Sequence, residues 1–219
     1  MELELAEPKP LERPTPRPEA QPTIRPGPQK TESPSYKERN RGLMAQYWAV
    51  TRAPVLLILG WFTASHLLFG SKWVFIDNVN LVFHEAGHMF FRPLGETAHF
   101  LGGTLFQLMM PLIVASVFWF KHKNRFGVIT CVWWFGENFI GIARYMDDAV
   151  AQRLPLVGGG IHDWRFLFSK WKVLNKHHEI ADTFHTIGAV VMVASLGLLV
   201  WLTLKPNESE LESGFVAEE

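Results

Sequence analysis

Apolar and polar positions divide the chain into a polar opening stretch, a series of long apolar runs, and a short polar end. The apolar runs fall at Pro54–Gly70, Trp73–Phe91, Leu101–Phe120, Phe126–Ala143 and Thr186–Leu204. Four of them are long and uninterrupted enough to form membrane-crossing helices. Trp73–Phe91 differs, because Asp77, Asn78, Asn80, His84, Glu85 and His88 break it. A helix of that kind belongs against a protein interior or a wet cavity rather than lipid. The pattern predicts an all-α, polytopic integral membrane bundle of four to five apolar segments embedded in a lipid bilayer.

The flanks set the domain boundaries. Residues 1–40 hold nine of the fourteen prolines and no apolar run, so they read as a disordered Pro-rich tail. That stretch also lacks the charged start and apolar centre of a signal peptide. Residues 206–219 read as an acidic flexible tail, leaving 41–205 as the membrane-embedded domain. Lys37, Arg39, Arg41 and Arg52 precede the first run, which puts the N-terminus in the cytoplasm, here of a bacterial inner membrane. The basic "KHKNR" at 121–125 would then fall outside if every run crossed, so 92–103 is expected to be re-entrant or only partly inserted.

Beyond the fourth run, Trp164, Leu167, Phe168, Trp171 and Leu174 recur at helical spacing, with Arg165, Lys170, Lys172 and Lys176 on other faces. This predicts an amphipathic helix lying in the membrane interface. Glu137, Gly141, Arg144 and Asp148 share one face of the fourth run and predict an internal ion pair. His66, His99 and His122 are isolated and carry no expectation of their own.

Formal net charge is zero and no basic stripe with interleaved aromatics occurs, which excludes nucleic acid as a partner. Cys131 is the single cysteine, so metal chemistry here rests on His, Asp and Glu. The stretch "LVFHEAGHMFF", Leu81–Phe91, contains His-Glu-x-x-His. On a helix, His84 and His88 stand one above the other, in the arrangement where two imidazoles bind zinc and the glutamate acts as general base. Three unpartnered polar groups in an apolar run would be costly, which favours a metal site.

A catalytic zinc takes a third protein ligand. Asp163, just after Gly158–Gly160, is the first candidate and His162 the alternative, with Asp147 and Asp148 behind them. Asn80, one turn before His84, is a candidate to hold the free ring nitrogen of that histidine. Gln107 and Asn138 lie inside apolar runs and are candidates for oxyanion or substrate contacts, or for interhelical hydrogen bonding.

The pair "FHEAGH" (83–88) and "LPLVGGGIHDW" (154–164) resembles the site-2 protease family of intramembrane zinc metalloproteases. That resemblance covers two short motifs and a hydropathy pattern. It implies His84, His88 and Asp163 as zinc ligands, Glu85 as base, and a membrane protein or peptide as substrate. The chain departs from the family in having Asp163-Trp164 where Asp-Gly is usual, and in lacking a recognisable Asn-x-x-Pro. Two other readings stand beside it. His177, His178 and His185 could join His84 and His88 in a histidine-rich di-iron oxygenase or desaturase-like site. A non-catalytic membrane metal-binding protein is the third, though binding alone would not need Glu85.

Overall fold

The computed structural model describes residues 36–69, 73–157 and 160–204. The proline-rich tail up to residue 35, most of the triple glycine and the acidic tail lie outside them. The described chain is all-α, with helices α1 (Tyr36–Leu68), α2 (Phe75–Phe91), α3 (Glu96–Phe120), α4 (Arg125–Ala151), α5 (Asp163–Lys170) and α6 (His177–Leu204). Helix α1 thus begins within the stretch expected to be tail. Four helices, all but α2 and α5, are long and apolar enough to cross a membrane. They carry large apolar side chains outward, among them Leu57, Trp61, Leu112, Val117, Val190 and Trp201. Such a surface suits lipid and would be expensive in water.

Local chemistry fixes the helix ends. At the start of α2 the Asp77 carboxylate accepts from the Val74 backbone N–H at 2.6 Å, satisfying an orphan donor. At the start of α4 the Asn124 side chain accepts from the Gly127 N–H at 2.9 Å, an N-cap. Helix α4 ends where Gln152 turns left-handed (φ 48°), and Asp148 accepts from the N–H groups of Arg153 and Leu154.

Helix α4 is the centre of the bundle. Its most apolar window is 56% buried, against 22% for α1. It packs along α6, where a Cβ on Gly188 would stand 2.6 Å from the Gly136 carbonyl oxygen. Only hydrogen fits at that crossing, the small-residue contact that lets helices approach without a hydrophobic driving force. On one side Trp133, Ile140, Met192 and Leu199 form one apolar cluster, and Ile142, Met146, Ala149, Leu167 and Phe168 form another.

Residues 92–103 form a 3-10 turn at Arg92–Leu94 that leads straight into α3. Two expectations change at this level. The amphipathic helix is shorter than expected and turns its apolar face inward. Trp164, Leu167 and Phe168 pack on α4 and Ala181 of α6, leaving Trp171 exposed. The ion pair within α4 does not form. Arg144 pairs instead with Asp77 of α2, and Glu137 faces α1 and α2.

Candidate metal centre

Helix α2 places His84 and His88 one turn apart, and the start of α5 brings Asp163 to them. The His84 Nε2 lies 2.9 Å and the His88 Nε2 3.2 Å from the same oxygen, Asp163 Oδ2. Zinc ligands at bonds of about 2.0–2.1 Å in a tetrahedron stand about 3.3 Å apart. Both nitrogen–oxygen distances are near that spacing, all three atoms lie within 4.8 Å of one another, and this group could hold a metal.

The other ring nitrogens explain why these two point inward. The His84 Nδ1 lies 3.2 Å from Gln107 Oε1, and the His88 Nδ1 lies 2.8 Å from the His99 carbonyl oxygen. Both partners accept only, so Nδ1 of each ring donates to them, and Nε2 of each ring is turned to the Asp163 carboxylate. Two ring nitrogens and a carboxylate oxygen meeting at one point could share a cation. This is how metal-binding histidines are held, with the far N–H given to an oxygen.

Asp163 is fixed from a second direction. The Tyr145 hydroxyl of α4 accepts from the Asp163 backbone N–H at 3.1 Å and lies 3.4 Å from its Oδ2. Burial alone would push the Asp163 carboxyl up, but the hydrogen bonds and charge of His84 and His88 outweigh it. They hold the group below the usual carboxylate range, in the ionised form a metal needs.

The space around His84 Nε2 is set by α3. A Cβ on Gly103 would lie 2.6 Å from that nitrogen, so only glycine leaves room for the ring. The site opens into a cavity of about 480 Å3, lined by Glu85, His88, His99, Tyr145 and the apolar segment Leu154–Val157. That volume falls within the roughly 300–1,000 Å3 typical of ligand pockets.

Several expected roles are reassigned. His162 does not join the metal group. It caps α5, its Nδ1 accepting from the Arg165 N–H at 3.3 Å, and its Nε2 lies 3.6 Å from Asp148. Burial lowers its pKa despite Asp148 and Asp163, which keeps the ring neutral and able to accept. Asn80 holds not His84 but Glu137, donating to Oε2 at 2.7 Å, and the second partner of His84 is Gln107. Asn138 is wholly buried, donates to the Trp134 carbonyl and does not line the cavity. Gln107 does line it, with its oxygen turned to His84.

His177 bonds the Leu174 carbonyl, and the exposed His178 pairs with Asp147. Neither they nor His185 stand in a metal-ligand group among the described residues, so the many-histidine di-iron arrangement is not assembled. Sequence reasoning passed over Tyr145, His99 and His66. Only Tyr145 left a trace, a tyrosine within an apolar run where its hydroxyl must find a partner.

Comparison of the chain with family models, curated protein sequences and solved structures finds no match.

Proposed function

We propose that this protein is an intramembrane zinc metallopeptidase that hydrolyses peptide bonds of membrane-embedded substrates. One observation carries the reading: two imidazoles and a carboxylate converge at ligand spacing beside Glu85, in a cavity within an apolar helix bundle. When bound there, zinc supplies acidified water and a polarised carbonyl. His84, His88 and Asp163 would hold the ion beside the cavity. Glu85 takes the proton from the attacking water and passes it to the leaving amine. The apolar wall at Leu154–Val157 receives the side chains of an unwound membrane peptide.

Glu85 separates this reading from simple metal binding, because a carboxylate between the two histidines adds nothing to affinity when it is not a ligand. A second reading rests on the donor set, since two histidines and one carboxylate also suit ferrous iron in oxygenases. The test presents zinc-loaded protein in detergent micelles with a panel of membrane-spanning peptides and reads products by mass spectrometry. Cleavage that disappears in Glu85→Gln, with zinc still bound, supports the peptidase. Cleavage that persists in Glu85→Gln, or no cleavage by zinc-loaded protein, sinks it. Iron in protein purified without oxygen, with dioxygen uptake, moves the answer to the second reading.

A further inference from the structure

Below the first site along α2 lies another group of the same residue types. His66 near the end of α1, Asp77 in the first turn of α2 and Glu137 in the middle of α4 bring one ligand atom each within 4.8 Å of one another. All three are buried, His66 at 1% exposure and Glu137 at 0%. Neither ring nitrogen of His66 has a hydrogen-bond partner among the described residues, and neither does Glu137 Oε1. Leaving three such atoms unsatisfied in an apolar bundle would be costly.

The distances say what fills the gap. His66 Nε2 and Glu137 Oε1 stand 3.5 Å apart. That is long for an N–H···O bond, whose usual length is about 2.9 Å, but it matches the edge between two ligands of one ion. The remaining oxygens are held as ligands are held. Asn80 donates to Glu137 Oε2 at 2.7 Å and is itself fixed by the Trp134 indole N–H at 2.8 Å. Asp77 is braced by Arg144 and by the Val74 N–H. Each carboxylate oxygen has two lone pairs, so both keep a free one for a cation.

We propose that His66, Asp77 and Glu137 form a second metal site, taking a first-row divalent ion of the zinc class. One imidazole and two carboxylates suit such an ion better than calcium or magnesium, which favour all-oxygen shells. The site is separate from the first. Asp77 and His84 are seven residues apart on α2, about 10 Å of rise, far beyond the roughly 4 Å of paired catalytic metals. Its role is to tie α1 to α2 and α4, alongside the Trp133 indole N–H donated to the Thr63 hydroxyl at 2.9 Å. The inference does not depend on peptidase activity.

The test is zinc titration and elemental analysis of the full chain in detergent, with helicity and monodispersity checked for each variant. The wild type is expected to bind two equivalents of Zn2+. The double variant His84→Ala/Asp163→Ala is expected to keep one, and His66→Gln or Glu137→Gln to fall from two to one. If the double variant is folded and binds none, the second site does not exist and His66–Glu137 is a buried polar pair. If His66→Gln and Glu137→Gln fail to fold, the double variant decides: one equivalent retained supports the site, and none overturns it. One equivalent that survives His84→Ala but not His66→Gln would leave this site standing and remove the first.

Discussion

His88 and His99 hold each other reciprocally: Nδ1 of each ring lies against the backbone carbonyl oxygen of the other, at 2.8 and 3.0 Å. This clasp ties the last turn of α2 to the first turn of α3 and aims His88 Nε2 at Asp163. Its counterpart for His84 is a side chain, Gln107. The difference gives a prediction. In Gln107→Leu the acceptor disappears, and zinc affinity should fall about 10- to 100-fold. In His99→Ala the carbonyl that orients His88 remains, so the fall should stay below about tenfold. Competition titration with a zinc-chelating dye measures both, and equal losses would mean that the carbonyl contact is not what orients His88.

Gly103 leaves no room for a side chain, because its Cβ would sit 2.6 Å from His84 Nε2. Gly103→Ala should therefore push the ring off the metal and lower zinc affinity by at least about tenfold, the scale of a displaced ligand support. Gly197 on α6 has no atom within 4 Å of its would-be Cβ. Gly197→Ala should leave affinity unchanged and raise stability by up to about 1 kcal/mol, the helix gain over glycine. Thermal unfolding together with zinc titration on the pair checks this. A neutral Gly103→Ala would show that α3 stands further from His84.

The runs of apolar residues made the four long apolar helices legible, because a helix long and apolar enough to cross a membrane leaves an unmistakable composition. The His-Glu-x-x-His spacing made two candidate ligands legible for the same local reason, since one helix turn links them. What stayed hidden depends on contacts between helices. Arg144 could have paired with Glu137 seven residues earlier on α4, but α2 presents Asp77 to it across the interface. His66 looked isolated because its partners lie 11 and 71 positions away, on α2 and α4. The inward turn of α5 was hidden because an amphipathic stripe looks the same facing lipid or protein.

Asp163 and His162 are neighbours in sequence with opposite orientations. Asp163 points to the two histidines, whereas His162 caps α5 beside Asp148. Asp163→Ala should abolish high-affinity binding at this group, and His162→Ala should leave the metal count unchanged. The cost of His162→Ala appears in stability, about 1–3 kcal/mol for a lost cap and a vacated buried ring. Elemental analysis beside thermal unfolding separates the two. Metal loss in His162→Ala of an intact fold would exchange their roles.

Tyr145 reaches the centre from α4 without being a ligand. Its hydroxyl accepts from the Asp163 N–H at 3.1 Å, and its ring stacks on His162 with centroids 4.1 Å apart. Tyr145→Phe keeps the stack and removes only the oxygen. The Asp163 N–H then loses its acceptor beside a buried carboxylate, a cost of about 1–3 kcal/mol. Because that N–H anchors the first residue of α5, the carboxylate it carries should lose its fixed aim. Zinc affinity is expected to drop about tenfold, within the range for a lost support. Unchanged affinity and stability would mean that α5 alone positions Asp163. Unchanged affinity with lost cleavage would instead place the phenol against the substrate in the cavity it lines.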